Sequence, residues 1–517
     1  MSGVASAKAR SRMVDVCVIG AGPAGLAAAA AAAGTGAEVV VLERERYAGG
    51  VLPQCVHDGF GLHIHGRSLT GPEYAAEWEA RARDAGAQLL RGCTVLSVAA
   101  AADGGFAVDA VGEALGGRCQ LRARAVVCAT GCRERTRGQL GIPGTRPAGV
   151  LTAGAAQYMM NVANQLPGDK AVVLGSGDIG LIMARRLTLE GAEVRLVLGQ
   201  AATGLLRNYV RCIDDFSIPL RFGWGVASIH GNGRLKGVCV APMNEDGSFD
   251  EKRREYVRCN LLLIACGLIP EREVLAALPD ADDDAALAKR GVFVCGNARA
   301  PHDLADSVTQ EGLAAGLDAA AFAAAAGAAA AGAGADAAEA AAEAEAAAEV
   351  RRILAVRVRE PKGRMDDRRD AAPGTRCVPC TVCPTGCVVH VSEQGMATGQ
   401  RCERGAAYAL AELTEPMRLF TGTVRTRCAP GCGAEPSLLP VRTATEVPRE
   451  RVRDVARACR RMRVGGPVQV GDVLHPNVAG TGVALLACAE KHTRPAAEAP
   501  APAWFLADAA AAGGARL

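Results

Sequence analysis

The sequence predicts an α/β fold with three parts. Two Rossmann-like units come first, the second inserted into the first, and a small C-terminal α+β domain follows. Three observations carry this expectation. A strand, glycine turn, helix and strand occur twice, 155 residues apart; a weakly polar, alanine-rich run from Ala319 to Val350 reads as a helical linker; and closely spaced cysteines begin after residue 372. At 517 residues the chain has room for about three domains of roughly 150 residues. Half of it is apolar and 22% is charged, a globular balance that can bury a sizeable core. Its 58 basic and 55 acidic residues leave a formal charge of +3, which gives no reason to expect nucleic acid or an anionic membrane as partner.

The first unit opens with the apolar run Val14 to Ile19, which reaches Gly20-Ala21-Gly22-Pro23-Ala24-Gly25 and an alanine-rich helical stretch. A second apolar run, Val39 to Leu42, ends at Glu43, 18 positions after the third glycine. This is the dinucleotide fingerprint. Gly20 permits the tight turn, Gly22 lets the backbone approach a pyrophosphate, and Gly25 lets helix and strand pack closely. The free N–H groups and positive end of the helix face the phosphates, and Glu43 is the expected acceptor for a ribose diol.

The second unit repeats the design from Lys170, with Gly175, Gly177 and Gly180 at the turn and a second strand over Glu193 to Leu198. Two dinucleotides facing one another imply hydride transfer. Leu198-Gly199 stand where a carboxylate would select NADH, and Arg207 follows as a candidate for a 2′-phosphate, so NADH and NADPH both stay open.

Together these residues resemble the two-dinucleotide-domain flavoproteins, the superfamily of glutathione and thioredoxin reductases. Ala129-Thr130-Gly131 is similar to the stretch leading out of the FAD domain in that superfamily, and Ala265 to Pro270 to its counterpart on the way back. Gly291 to Asn297 resembles the late FAD motif, which places Gly296 and Asn297 at the flavin's ribityl or pyrophosphate. Asn297 stands where Asp is usual. The helix expected from Asp306 would direct its positive end towards the flavin. Two further stretches, Gly49 to Leu62 and Leu206 to Leu220, resemble bacterial NAD(P)/FAD-dependent oxidoreductases often paired with a glycerol-3-phosphate-dehydrogenase-like flavoprotein. The resemblance covers residues 13 to 320 and implies FAD, NADH or NADPH, and a redox partner of that kind. Cys55 and His57 then fall near the flavin edge, as packing residues or as thiolate and proton-transfer groups.

Most of the 20 cysteines are single residues in apolar runs, such as Cys17, Cys128 and Cys295, and read as small buried hydrophobes of a reducing compartment. Cys377, Cys380, Cys383 and Cys387 have the spacing of a ferredoxin cluster loop, although Val388 replaces the proline that usually follows. A second grouping, Cys380, Cys383 and Cys387 with Cys402, resembles the [4Fe–4S] lobe of molybdopterin oxidoreductases. It also resembles a small cysteine-motif domain of uncharacterised function over about 377 to 490, which makes Cys377 a spare thiol. An iron–sulfur cluster is preferred because a flavin can pass on single electrons; a structural zinc is the alternative. Cys428 and Cys432 read as incidental or redox-labile.

The expectation is therefore a flavoprotein oxidoreductase. Its FAD domain spans 13–149 and 289–325, and its NAD(P) domain 150–288. An alanine-rich and charged linker covers 326–372, a cysteine-cluster domain 373–495 and a flexible tail 496–517. Alternatives are an FAD-binding accessory subunit with a structural zinc domain, and a thiol–disulfide reductase. The latter is disfavoured because only Cys55 follows Gly49-Gly50. No secretory signal or transmembrane segment is expected. The chain is expected in the cytoplasm, with peripheral membrane association through a partner and homodimerisation left open.

Overall fold

The computed structural model describes residues 13–102, 104–331, 348–358, 374–427 and 437–491. In the first unit, the strand Met13–Ile19 lies between Val39–Glu43 and the long strand Gly117–Cys128, all parallel. Gln88–Arg91 extends one edge. On the other side, Gly117–Cys128 begins an antiparallel meander with Phe106–Gly112 and Cys93–Ala100, while its last residues pair with Val292–Val294. The late segment therefore rejoins the first unit. The central strands carry valine on both faces because helices cover one side and the meander the other.

The helix Pro23–Ala33 is almost all alanine, and that composition has a packing reason. It lies against the helix Ala305–Ala331 so closely that a Cβ on Gly312 would stand 2.2 Å from the Ala24 carbonyl oxygen, and one on Gly316 equally close to that of Ala28. Small residues on both helices permit this approach, which brings the late helix over the cradle of the first unit.

The chain leaves the first unit through Cys132–Glu134 and returns through Leu268–Pro270, and these two strands pair as an antiparallel ribbon. Between them lies a five-stranded parallel sheet in the order Val150–Thr152, Leu261–Ile264, Lys170–Leu174, Glu193–Gly199, Leu220–Phe222. A three-stranded antiparallel sheet, from Trp224–Asn232 to Glu255–Arg258, covers one face.

The C-terminal part has two pieces. Thr375–Pro379, Val388–Ser392 and Ala397–Thr398 form a small antiparallel sheet beside the helix Glu403–Thr414, around a core of Val378, Val389, Val391 and Ala409. The second piece is a five-stranded sheet with the helix Val452–Arg461. It shares one hydrophobic core with the NAD(P) unit, in which Phe420, Val424, Val455 and Cys459 meet Met183, Leu187 and Leu189. Part of the expected linker is also packed: Val350 and Ile353 are buried in the core of the first unit, and Gln310 donates to the carbonyls of Ile353 and Val356. Cys428 and Cys432 lie outside the described residues, as does the expected tail 496–517. No described helix is long and apolar enough to cross a membrane.

Candidate active site

Gly20, at φ +96°, turns the chain out of the first strand, and a Cβ there would stand 2.6 Å from the Ala129 carbonyl oxygen. A Cβ on Gly25 would lie 1.8 Å from the Gly20 oxygen, so helix and turn meet only through glycine. Gly22 is the N-cap of the helix, with no side-chain cap and no acidic residue in the first turn. The N–H groups there are left for an anion. Gly49 donates to the Ala21 carbonyl at 2.7 Å and so brings Gly50 against Gly22. Glu43 is buried, and its two oxygens accept from the N–H groups of Ala21 and Glu45 at 2.7 and 2.8 Å. Burial pushes its carboxyl up from the ordinary value, and these hydrogen bonds oppose that shift. The carboxylate thus holds the glycine turn in place, and its remaining lone pairs are those a ribose would use. This cradle fits the pyrophosphate and ribose of FAD.

The other residues expected around FAD fall beside this cradle. The Ala129 N–H donates to the Ile19 carbonyl, and the Thr130 hydroxyl donates to the Glu271 carbonyl on the returning strand. Gly131, at φ +77°, accepts from the Glu271 N–H. Gly296, at φ +61°, donates to Glu311, and its Cβ would stand 2.8 Å from that of Ala24. The Asn297 side-chain oxygen accepts from the His302 N–H at 3.0 Å, which fixes the loop ahead of the late helix. Asp306, in the first turn of that helix, accepts from the N–H groups of Gly61 and His63 and ties the Gly49–Leu62 loop to it.

In the second unit a Cβ on Gly180 would stand 2.1 Å from the Gly175 oxygen, repeating the first cradle. Gly177 is the uncapped N-cap. Gly199 leaves no room for a carboxylate, because even a Cβ would meet the Ser176 hydroxyl at 1.9 Å. Ser176 donates to the Ala201 carbonyl, Tyr209 donates to the Ser176 carbonyl, and Asp178 accepts from the Leu205 N–H and the Asn208 amide. The segment after the second strand is thereby laced to the glycine turn. Arg207 has another task than the one expected of it. It is buried and donates to Asp58 at 3.0 Å, so its charge is committed to the first unit.

Cys55 is buried, and its thiol donates to the Gln157 amide oxygen at 3.7 Å. Burial pushes the thiol up to about 12, so it is not a thiolate at neutral pH. Burial likewise brings His57 down to about 4, and its ring lies 4.9 Å from that of Phe60. His57 and Asp58 line a cavity together with Arg185, Arg207, Arg211 and Arg418. Burial pushes the Asp58 carboxyl up, but Arg211, Arg207 and Arg185 outweigh it and hold the group below the ordinary carboxylate range. Sequence reading missed Arg211 and Arg418, whose partners Asp58 and Asp215 lie far along the chain, and Arg185, which only the cavity brings to notice.

Two of the C-terminal thiols, Cys380 and Cys402, meet at the start of the helix Glu403–Thr414. Cys402 is its N-cap, and the sulfurs of Cys380 and Cys402 lie 3.7 and 4.0 Å from the Cβ position of Gly405. Burial raises the Cys380 thiol to about 11, with smaller contributions from Cys383, Cys387 and Cys402. The donor chemistry suits a thiolate-bound centre. The spacing does not form a ready coordination sphere, because no group of three or more His, Cys, Asp or Glu among the described residues is arranged to hold a metal ion. Cys377 lies apart, on a strand opposite His390.

The model of the pyridine nucleotide-disulphide oxidoreductase family matches residues 14–312, more than half of the chain. The chain belongs to that family. It is an FAD-dependent oxidoreductase with FAD and NAD(P) as cofactors. A second family model, described as a protein of unknown function (DUF1667), matches residues 403–489. It begins just after Cys402 and spans the sheet that packs on the NAD(P) unit.

The oxidoreductase is 31% identical over 226 residues to a subunit of the opine oxidase of Agrobacterium tumefaciens, covering 40% of this chain and 41% of that one. It is 29% identical over 166 residues to the hydrogen cyanide synthase subunit HcnB of Pseudomonas aeruginosa, covering 29% and 35%. It is 28% identical over 275 residues to the alpha subunit of the sarcosine oxidase of a Corynebacterium species, covering 50% and 26%. The chain thus spans about two fifths or less of these relatives' lengths. Among solved structures, thioredoxin reductase of T. acidophilum aligns with a TM-score of 0.48 at 22% identity, over 61% of this chain and 99% of that one.

Proposed function

We propose that this oxidoreductase exchanges electrons between a nicotinamide dinucleotide and a partner protein, as one subunit of a larger redox enzyme. The observation that carries this reading is the pair of glycine cradles on two units joined by one antiparallel ribbon, with no second cysteine in the Gly49–Leu62 loop that holds Cys55. Flavin supplies the step between two-electron and one-electron chemistry. The chain's own residues bind and orient: Gly22 and the helix behind it receive the pyrophosphate, Glu43 the ribose, and Gly177 the second dinucleotide. Cys55, neutral and bonded to Gln157, packs the loop and leaves thiol–disulfide exchange without a nucleophile pair.

The relatives named as parts of oxidases and a synthase support a partnered enzyme. A glycerol-3-phosphate-dehydrogenase-like flavoprotein is the partner proposed from the sequence resemblance, and the cytoplasm the proposed location. Cys380, Cys383, Cys387 and Cys402 are proposed to hold a [4Fe–4S] cluster, supported by their spacing and by the meeting of Cys380 and Cys402 at one helix N-terminus; the second reading gives them a structural zinc. The packing of the C-terminal sheet on the NAD(P) unit favours a fixed third domain over one that swings.

The test is NAD(P)H-driven reduction of an artificial dye by the isolated, FAD-loaded chain, prepared without oxygen. Turnover supports a self-sufficient nicotinamide-oxidising flavoprotein. Flavin that stays oxidised with either nicotinamide would overturn it and leave the accessory-subunit reading.

A further inference from the structure

A cavity of about 360 Å³ opens where the His57–Asp58 loop, the NAD(P) unit and the C-terminal sheet meet. Its size is that of a small-molecule site. Six arginines line it: Arg185, Arg207, Arg211, Arg418, Arg449 and Arg453. Four of them are answered by carboxylates. Arg207 and Arg211 each reach Asp58 at 3.0 Å, Arg418 grips Asp215 and Glu412, and Arg449 stands 3.9 Å from Asp215. The two remaining acids of the wall, Asp214 and Glu450, are exposed.

Arg185 is different. It has no hydrogen bond or ion pair among the described residues, and its ring neighbour is Phe216, 6.0 Å away. Burial pulls its guanidinium below the ordinary arginine value. Arg453, exposed at the rim, lies 5.4 Å from the same ring and donates to the Phe216 carbonyl at 3.4 Å. Asp58 and Asp215 favour the charge on Arg185 only from beyond ion-pair distance, and a half-buried cation without a direct partner is unfavourable. Two guanidiniums flanking one aromatic ring suit a ligand that brings its own negative charge, since the planar fork matches carboxylate and phosphate oxygens. Ile182, Leu419 and Val452 give the same cavity apolar wall for an organic body.

We propose that this cavity binds a small organic anion bearing a carboxylate or phosphate group, anchored by Arg185 in its depth and by Arg453 at its rim. The inference goes beyond the electron-transfer reading and does not depend on it, because binding requires neither a metal centre nor a direction of electron flow. Asp58, neutralised by two arginines, does not repel the ligand. Neutral His57 faces it as a hydrogen-bonding group.

The test is calorimetric titration of the FAD-loaded full chain with inorganic phosphate and, separately, with succinate, in chloride-poor buffer. At least one should bind at one site per chain, and Arg185→Gln should weaken it by about 10-fold or more, the loss expected for one charge-assisted contact. Phosphate binding alone assigns a phosphate ligand; succinate binding alone assigns a carboxylate. Should the variant not fold, protection of Arg185 from phenylglyoxal by the same anion, mapped by peptide mass spectrometry in the wild-type chain, reads the same contact. Failure of both anions to bind, undiminished binding by folded Arg185→Gln, or no protection of Arg185 would overturn the proposal. Each result is independent of NAD(P)H turnover, so the two readings can fail separately.

Discussion

Arg418 grips Asp215 with a fork: its Nε and Nη2 donate to the two carboxylate oxygens at 2.6 and 2.9 Å, across 203 residues of sequence. The pair is buried, and Glu412 takes the other side of the guanidinium at 2.6 Å. Burial opposes the charge on Arg418, but the hydrogen bonds from Glu412 and Asp215 outweigh it and raise its pKa. Removing the arginine alone leaves buried Asp215 with the more distant Arg449 and half-buried Glu412 without its fork, and breaking a buried pair in this way costs up to about 3–5 kcal/mol. Arg418→Met should therefore loosen the C-terminal sheet from the NAD(P) unit. Limited proteolysis should cut residues 417–489 sooner in the variant; an unchanged cleavage pattern would show that the shared hydrophobic core holds the sheet alone.

His57 supplies a pH dependence. Its value is about 4 in the folded chain, against an ordinary 6.5, first because of burial and then because Arg207 and Arg185 oppose a charge that Asp58 favours. Between those values the unfolded chain binds a proton that the folded chain does not, so this contribution falls as pH drops from 6.5 towards 4. The shift corresponds to at most about 3 kcal/mol. His57→Gln should flatten the decline of the urea midpoint in that window. A parallel decline in both proteins would show that other groups cause it.

The flavin cradle predicts a clean separation of folding from binding. A Cβ on Gly22 has its nearest neighbour at 4.0 Å, the Gly50 Cα, whereas one on Gly25 would lie 1.8 Å from a carbonyl oxygen. Gly22→Val should fold and purify colourless, since its side chain occupies the place of the phosphates. Gly25→Val should fail to fold as well. Full yellow occupancy in Gly22→Val would remove the phosphate assignment.

Both cradles were legible because glycine spacing and strand–helix alternation are local properties; the return of the chain at residue 291 was legible only through the family resemblance of Gly291 to Asn297. Arg207 was not. Its neighbours in sequence suggest a phosphate contact, but its partner is Asp58, 149 residues away, and nothing local announces an ion pair of that separation. The same holds for Arg185, whose meaning depends on a cavity wall drawn from three units. The C-terminal domain was legible as a change of composition. That its sheet would complete the core of the NAD(P) unit was not, because a strand such as 421–426, with Val424 as its one apolar side chain, does not announce which surface it buries.

Nicotinamide choice follows from the crowded end of the second strand. Gly199 has no side chain and cannot take one without displacing Ser176, so no carboxylate is available there to reject a 2′-phosphate. NADPH should be accepted at least as well as NADH, measured as kcat/KM for flavin reduction. A large preference for NADH would mean that another residue reads the ribose.

The thiols of the C-terminal lobe permit a test of the metal that does not disturb the nucleotide units. Cys402 is exposed, so replacing it removes a sulfur without opening a core. Its carbonyl still accepts from the Gly405 N–H, so the first turn of the helix is kept. Cys380, by contrast, is buried against Val378 and Val389, and its loss would confuse packing with ligation. If the four thiols hold the proposed cluster, Cys402→Ala should abolish iron–sulfur absorbance and lower the iron content of anaerobically purified protein. Bleaching of the flavin by NAD(P)H should persist, because both cradles lie in the pieces before residue 332. Zinc without iron in the wild-type chain would rule out the proposed iron–sulfur cluster and assign the lobe a structural or docking role, with the four thiols serving as zinc ligands.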